Sequence, residues 1–345
     1  MAPVATTPNP EEPRPMKTIV RGLVASLLAV PFALGATTGV AEEAKAPPSR
    51  TFAFTYEITV AKPEAAQRLD VWIPLPAEDD LQKVEGLAVT AKMGDKELGV
   101  TQGKDETYGN RMAYVGVDAP TADVVIRWTA TITRAGDVGQ GKGPVLDRFK
   151  QEDRLVPVTG KAAELAKQLG VESGADVRAR GRTIYDHVLT TMQYDKVAEG
   201  WGKGDFARAC EVGKGNCTDF HAKFIGIGRA AGIPVRFTMG IPMTPEAKGK
   251  AGGYHCWAHF YDGTSWIPVD ISEAQKVVAK DPAKAEWFFG HLDADRISLT
   301  VGRDLTLSPK QKGDPLLFFA YPYVEVDGKV GADVKDKRSF TWEAK

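Results

Sequence analysis

Cys217, His255 and Asp270 are the residues of this chain whose types and order suit covalent chemistry. Cys217 follows the lead-in Gly213-Lys214-Gly215 and opens an apolar-striped segment that stops at Gly232-Ile233-Pro234. A side chain in the first turn of a helix meets free peptide N–H groups and the positive end of the helix dipole, and both favour thiolate over thiol. A carboxylate that orients an imidazole, which in turn takes the proton of a thiol, is the nucleophile, base and orienter arrangement of acyl transfer. The candidate catalytic set is therefore Cys217, His255 and Asp270, in that order along the chain.

The elements that must hold these residues follow from periodicity. Cys217 begins a helix with Phe220, Phe224, Ile227 and Ala231 directed inward, after helical stretches at 162–169 and 177–192. Val235, Phe237, Met239 and Ile241 then alternate as a strand. Residues 254–261 and 266–271 flank the turn Asp262-Gly263 as a hairpin. Positions 255 and 270 fall roughly opposite each other across that hairpin, so the imidazole and the carboxylate can meet. Upstream, alternating runs at 51–60, 69–73 and 123–133, with weaker ones near 84–91 and 111–117, predict a β-rich domain over 50–135. A sandwich that packs or docks, with no chemistry of its own, is the expectation for it. Gly136 to Gly143 reads as a linker, 145–310 as the catalytic domain, and 311–345 as strands added at an edge.

With 345 residues, 43% of them hydrophobic and 26% charged, the chain has the composition of a soluble protein of two domains. A net charge of −1 offers no attraction for nucleic acid or an anionic membrane. Residues 1–41 have the pattern of a signal peptide: Lys17 and Arg21, an apolar run from Leu23 to Leu34, and small-residue cleavage sites at 33–35 or 39–41. A short linker, 42–49, would follow. The expectation is an exported protein, periplasmic or extracellular, with no stable membrane span after cleavage; a retained anchor is the competing reading. Three cysteines, Cys210, Cys217 and Cys256, leave at least one thiol unpaired in an oxidising compartment, with or without a Cys210–Cys256 bridge.

Gly215-Asn216-Cys217-Thr218-Asp219-Phe220, Arg229-Ala230-Ala231-Gly232-Ile233-Pro234-Val235-Arg236-Phe237, His255-Cys256-Trp257 and Trp266-Ile267-Pro268-Val269-Asp270 together resemble the core of the transglutaminase-like superfamily. The resemblance spans about residues 180–275. It implies an α+β fold with a papain-like core, a cysteine-bearing helix on an antiparallel sheet, with Cys217 as nucleophile, His255 as base and Asp270 as orienter. The β-rich domain with its Trp72-Ile73-Pro74-Leu75-Pro76 segment is similar to one that bacterial members carry ahead of the core. An upstream aromatic residue often completes the oxyanion hole in the family; Tyr194 and Trp201 are the choices here. His259 stands where the family often has an acidic residue and, with Trp257, is a substrate-groove candidate. Asp219 reads as a structural carboxylate.

Cys210, Cys217, His221, His255, Cys256 and His259 could be assembled as zinc ligands, but no Cys-x2-Cys pair supports this, and no calcium-type acidic loop is present. The expectation is an enzyme without cofactor or metal, acting on a protein or peptide substrate such as a cell-wall peptide, of open oligomeric state. Hydrolysis by a cysteine peptidase or amidase is favoured. An amine-incorporating cross-linker and a non-catalytic binding or scaffold protein that keeps the fold are the alternatives. The Lys- and Gly-rich segment Thr244 to Gly253 is expected to be a mobile loop.

Overall fold

The N-terminal alternation becomes seven strands in the computed structural model, which describes residues 48–174, 176–331 and 334–345. The signal sequence expected at 1–41 and most of the 42–49 linker lie outside the described residues. The strands are β1 (Ser49–Val60), β2 (Arg68–Pro74), β3 (Gln82–Met93), β4 (Lys96–Glu97), β5 (Thr101–Lys104), β6 (Arg111–Asp118) and β7 (Val124–Ala135). Because successive strand side chains point to opposite faces, Phe52, Phe54, Tyr56, Ile58 and Val60 of β1 fall on one side. Val124, Ile126, Trp128, Ala130 and Ile132 of β7 join them, and all ten are buried. β1 and β7 pair antiparallel, with Tyr56 opposite Trp128. Leu69, Val71 and Ile73 of β2 and Ala113, Val115 and Val117 of β6 come from a second sheet and enter the same core. Trp128 Nε1 ties the sheets together by donating to the Pro74 carbonyl at 3.1 Å.

Next in order are α1 (Lys161–Gln168), α2 (Val177–Thr191), β8 (Gln193–Tyr194), α3 (Phe206–Val212), β9 (Lys214–Gly215) and α4 (Cys217–Ala230). α4 was expected to bury one stripe, but every residue from Cys217 to Arg229 is buried. Such a helix is central, and its polar residues need partners inside the protein. Lys223 Nζ donates to Thr191 Oγ1 at 2.9 Å, and Arg229 Nη1 to Asp153 Oδ2 at 2.7 Å.

The chain continues as β10 (Val235–Pro242), β11 (Lys248–Ala251), β12 (His255–Tyr261), β13 (Trp266–Val269), α5 (Ile271–Val277), α6 (Pro282–Trp287) and β14 (Arg296–Val301). An antiparallel sheet of order β13-β12-β10-β14 forms the floor under α4, giving an α+β core. Cys256 and Phe260 of β12 face the helices: the Phe260 ring lies 6.1 Å from that of Phe224, and Cys256 Sγ 3.7 Å from His221 Nδ1. The alternate positions, Trp257 and His259, face the side where the sandwich docks. There Gln82 of β3 receives the Ser298 N–H at 2.8 Å and donates to the Ser298 carbonyl at 2.9 Å.

β15 (Tyr323–Val326), β16 (Lys329–Val330) and β17 (Asp336–Ala344) return to the sandwich. β17 differs from the expectation of an edge. It lies between β1 and β11, in a sheet of order β11-β17-β1-β7-β3-β4. The edge is β11, cut from the segment expected to be a mobile loop. Its Lys-Gly-Lys-Ala sequence has no strand signal because the pairing uses backbone groups, and lysines suit an exposed edge.

Candidate functional site

The start of α4 is built around Asp219. Asn216 caps the helix by accepting the Thr218 N–H at 3.0 Å, and Asp219 Oδ2 accepts the Asn216 N–H at 3.0 Å. The same carboxylate takes the N–H groups of Gly202 at 2.8 Å and Gly204 at 3.1 Å, stapling the preceding loop to the helix. Burial pushes the Asp219 carboxyl up, although three N–H bonds oppose this. The packing leaves no room for a side chain at Gly215, where a Cβ would sit 2.3 Å from Asp219 Oδ2. Gly204 holds a φ of +64°, a conformation glycine adopts without strain.

Cys217 is thereby held at the first helical position, 2% exposed. His255 is the first residue of β12. Asp270 is the residue after β13 and caps α5, and its Oδ2 lies 2.7 Å from His255 Nε2. The hairpin register pairs Ala258 with Val269. Extended by that register, Asp270 faces Trp257 and lies diagonal to His255 rather than opposite it. The contact closes because Asp270 has left the strand and turns into the helix cap.

Asp270 is saturated: Oδ1 accepts from Ser272 Oγ and the Glu273 N–H, both at 3.2 Å, and Oδ2 also accepts from Arg296 Nη1 at 3.0 Å. Burial alone would raise its pKa, but His255 and Arg296 hold it far below the usual carboxylate range. Burial likewise works to lower the His255 pKa, yet the Asp270 carboxylate, aided by Cys217, pushes it up to about 10. The Cys217 thiol is held well below the usual thiol range, first by a hydrogen bond from Cys256, then by His255, against burial. Cys256 moves the other way, raised by burial and by its neighbour Cys217. With Nε2–H given to Asp270, Nδ1 remains for the sulfur. These directions favour the thiolate form of Cys217 and the imidazolium form of His255, with Cys256 kept neutral beside them.

The other expected residues are not all brought to the thiol. Tyr194 is: its strand β8 pairs with β9 beside Gly215, and burial together with Cys217 raises its hydroxyl pKa. Trp201 is 38% exposed on the loop before α3. Trp257 is fully buried beneath the Arg296 guanidinium, 5.0 Å from its ring centre, which makes it a packing residue rather than a groove wall. His259 is paired with Asp137 at 2.9 Å, and β12 carries it about 13 Å along the strand from His255. Arg236 lies over the Trp266 ring, 4.6 Å from its centre.

Of the six zinc candidates, Cys217, His221, His255 and Cys256 lie near one another, while Cys210 and His259 stand apart. His221 has both nitrogens engaged, Nδ1 with the Cys217 carbonyl at 2.8 Å and Nε2 accepting the Ile271 N–H at 3.3 Å. The three cysteines are unpaired, and Cys256 adjoins Cys217 rather than Cys210. His255, Asp270 and Glu273 do bring ligand atoms within 4.8 Å of one another. A cation there would have to displace the His255–Asp270 hydrogen bond and sit beside the Arg296 guanidinium, so the donor set does not suit a metal.

The parts played at the site by Arg296, Cys256 and Tyr254 were not foreseen from the sequence. Tyr254 receives the Asn216 side-chain N–H at 3.0 Å, and its hydroxyl pKa is raised by burial and by Cys217. Only Arg296 carried a signal, since an arginine opening the apolar run Ile297-Ser298-Leu299-Thr300-Val301 must be buried and so requires partners.

Three comparisons bear on this arrangement. The model of the transglutaminase-like superfamily matches residues 163–271, from α1 through Asp270. An uncharacterized protein of Haemophilus influenzae is 29% identical over 320 residues, covering 80% of this chain and 85% of its own. A crystal structure from Cytophaga hutchinsonii, named “putative cysteine protease”, matches with a TM-score of 0.55 at 15% identity, over 86% of this chain and 98% of that one. At that identity the likeness is one of fold. Residues 163–271 of this chain are a domain of the transglutaminase-like superfamily.

Proposed function

We propose that this protein is an exported cysteine peptidase or amidase that works by acyl transfer through a thioester. The observation that carries the reading is the position of His255 between Cys217 and the saturated carboxylate of Asp270, with the thiol pKa lowered and the imidazole pKa raised. The Cys217 thiolate attacks the carbonyl carbon of an amide, forming a C–S bond as the C=O electrons move onto oxygen. The Cys217 N–H, at a helix start with no intrahelical acceptor, holds that oxyanion, and the Tyr194 hydroxyl is the candidate second donor. Collapse expels the amine, which leaves with the proton from His255 Nδ1. His255 then takes a proton from water, the resulting hydroxide attacks the thioester, and the acid is released with the thiolate restored.

The substrate class is a protein or peptide, cell-wall peptides included. Export is supported by the charge and apolar pattern at 16–41. The test is intact-mass analysis of peptides and peptidoglycan fragments incubated with wild type and with Cys217→Ala, with and without a primary amine. Cleavage with gain of water by wild type alone is expected. Amine incorporation at glutamine would make the protein a cross-linker, and full activity of Cys217→Ala would remove the thiol mechanism.

A further inference from the structure

The side of the core sheet covered by the sandwich carries a second constellation. Arg236 of β10 is register partner to His259 of β12, and both line a cavity of about 670 Å³ between the sheet and the sandwich. Arg134 of β7 lines it from the sandwich side. Arg134 Nε, Arg236 Nε and His259 Nδ1 are buried and have no hydrogen-bond partner among the described residues. Arg134 is 1% exposed and His259 3%. Arg134 has a long contact to Asp79, 3.8 Å, and donates from Nη1 to Ser298 Oγ at 3.5 Å, and among the described residues Arg236 has no carboxylate within 4.0 Å. Lys104 and Arg111 also line the cavity, so four cationic side chains face two carboxylates, Glu78 and Asp79.

A purely structural role for Arg236 would use the face of its guanidinium, which rests on Trp266. That contact leaves the N–H edge unused: Nε is buried without a partner, and the half-buried guanidinium faces no carboxylate within 4.0 Å among the described residues. A planar guanidinium edge matches a carboxylate through two parallel hydrogen bonds. An apolar wall adjoins it: Tyr108 stacks on Phe149 at 5.9 Å, and Phe149 meets Trp266 edge-on at 5.4 Å. A volume of this order suits a small organic molecule rather than a bare ion.

We infer that this cavity is a binding site for a small organic carboxylate, its anionic end on the edge of Arg236 and its apolar body against Tyr108 and Phe149. The site is separate from the thiol, and the inference holds whether or not Cys217 is a nucleophile. It gives the sandwich a part in ligand recognition, through Arg134 and Tyr108.

The experiment follows the arginine Nε–Hε resonances of ¹⁵N-labelled full-length protein. It is titrated with benzoate, 3-phenylpropionate and N-acetylphenylalanine, with the primary amide of each, and with inorganic phosphate. Carboxylates are expected to shift the Arg236 resonance saturably, with each amide and phosphate at least ten-fold weaker, and with Arg236→Gln losing at least ten-fold in carboxylate affinity. Because the resonance is read in wild type, the test does not rest on the variant folding. Absence of a saturable Arg236 shift with all three carboxylates would overturn the assignment, as would equal binding of phosphate or of the amides.

Discussion

Arg296 Nη1 donates a 3.0 Å hydrogen bond to Asp270 Oδ2, the same oxygen that meets His255. Arg296 also pairs with Asp293 at 3.0 Å, so one guanidinium bridges the strand it opens and the carboxylate that orients the imidazole. It touches no reacting atom and is a positioning residue. Arg296→Gln should raise the Asp270 pKa, since the charge that favours ionisation is gone while burial remains. The acid limb of the kcat/KM profile should move to higher pH, with kcat reduced about 10- to 100-fold and KM little changed, together with a stability loss of about 3 kcal/mol. A pH–rate profile of unchanged shape would show that Arg296 serves packing alone.

The thiolate–imidazolium pair has a signature in reactivity. Iodoacetamide at pH 6 should label Cys217 and spare Cys210 and Cys256, whose pKa values are raised by burial. His255→Ala should slow that labelling at least ten-fold, as measured by mass spectrometry of tryptic peptides. Equal, slow reaction of all three cysteines would argue for a binding protein.

The same pair sets a pH window for stability. The folded pair holds one proton between them. The unfolded pair holds two below the histidine value of 6.5, one up to the cysteine value of 9.0, and none above it. Stability from the pair therefore falls as pH drops below 6.5, is level between, and falls above 9.0 until His255 loses its proton near 10. Each sloping limb is worth about 1.4 kcal/mol per pH unit. Subtracting the urea stability of the Cys217→Ser, His255→Gln double variant from that of wild type across pH 5 to 10 should give this flat-topped curve, and a difference independent of pH would contradict the ion pair.

His259 is pushed down to about 4 by burial and by Arg236 and Arg134, despite its bond to Asp137. A depressed histidine binds its proton first in the unfolded state, so its contribution is present above 6.5 and lost as pH falls toward 4. His259→Gln should flatten the acid side of the stability curve by about 2 kcal/mol at pH 5 relative to pH 7. Identical acid slopes for variant and wild type would mean that His259 titrates as it does in the unfolded chain.

Asp219 answers three backbone N–H groups at the start of α4. Asp219→Ala should cost about 3 kcal/mol, since buried donors lose their acceptor. Gly215→Ala should cost a similar amount by forcing the carboxylate aside. Both should slow alkylation of Cys217 by shifting the helix start, read from urea melts and labelling rates. Wild-type labelling in a destabilised variant would separate the fold of the loop from the reactivity of the thiol.

How much was legible can be judged residue by residue. The alternation through Phe52 to Val60 and Val124 to Ile132 read directly as buried strand faces, because a period of two survives any tertiary arrangement. Asp262-Gly263 announced the hairpin, and its meeting of His255 with Asp270 was foreseeable, although the register is diagonal. β11 was hidden, since Lys248 to Ala251 become a strand only because β17 offers them a free edge. Trp257 could not be told from a groove residue, since the strand pattern says which positions share a face but not what covers that face.

The sequence by itself determined the local chemistry: a cysteine behind a glycine turn at a helix start, a histidine and a carboxylate on one hairpin, and the periodicities that build a sandwich and an α+β core. These depend on neighbours within a few residues, where backbone geometry alone brings groups together. Only the tertiary structure decided what surrounds them. Arg296 on Asp270, Cys256 beside Cys217, His259 on Asp137 and the unpaired edge of Arg236 join segments distant in the chain. Burial and the charges met across those contacts set the protonation states, and neither is written in local spacing.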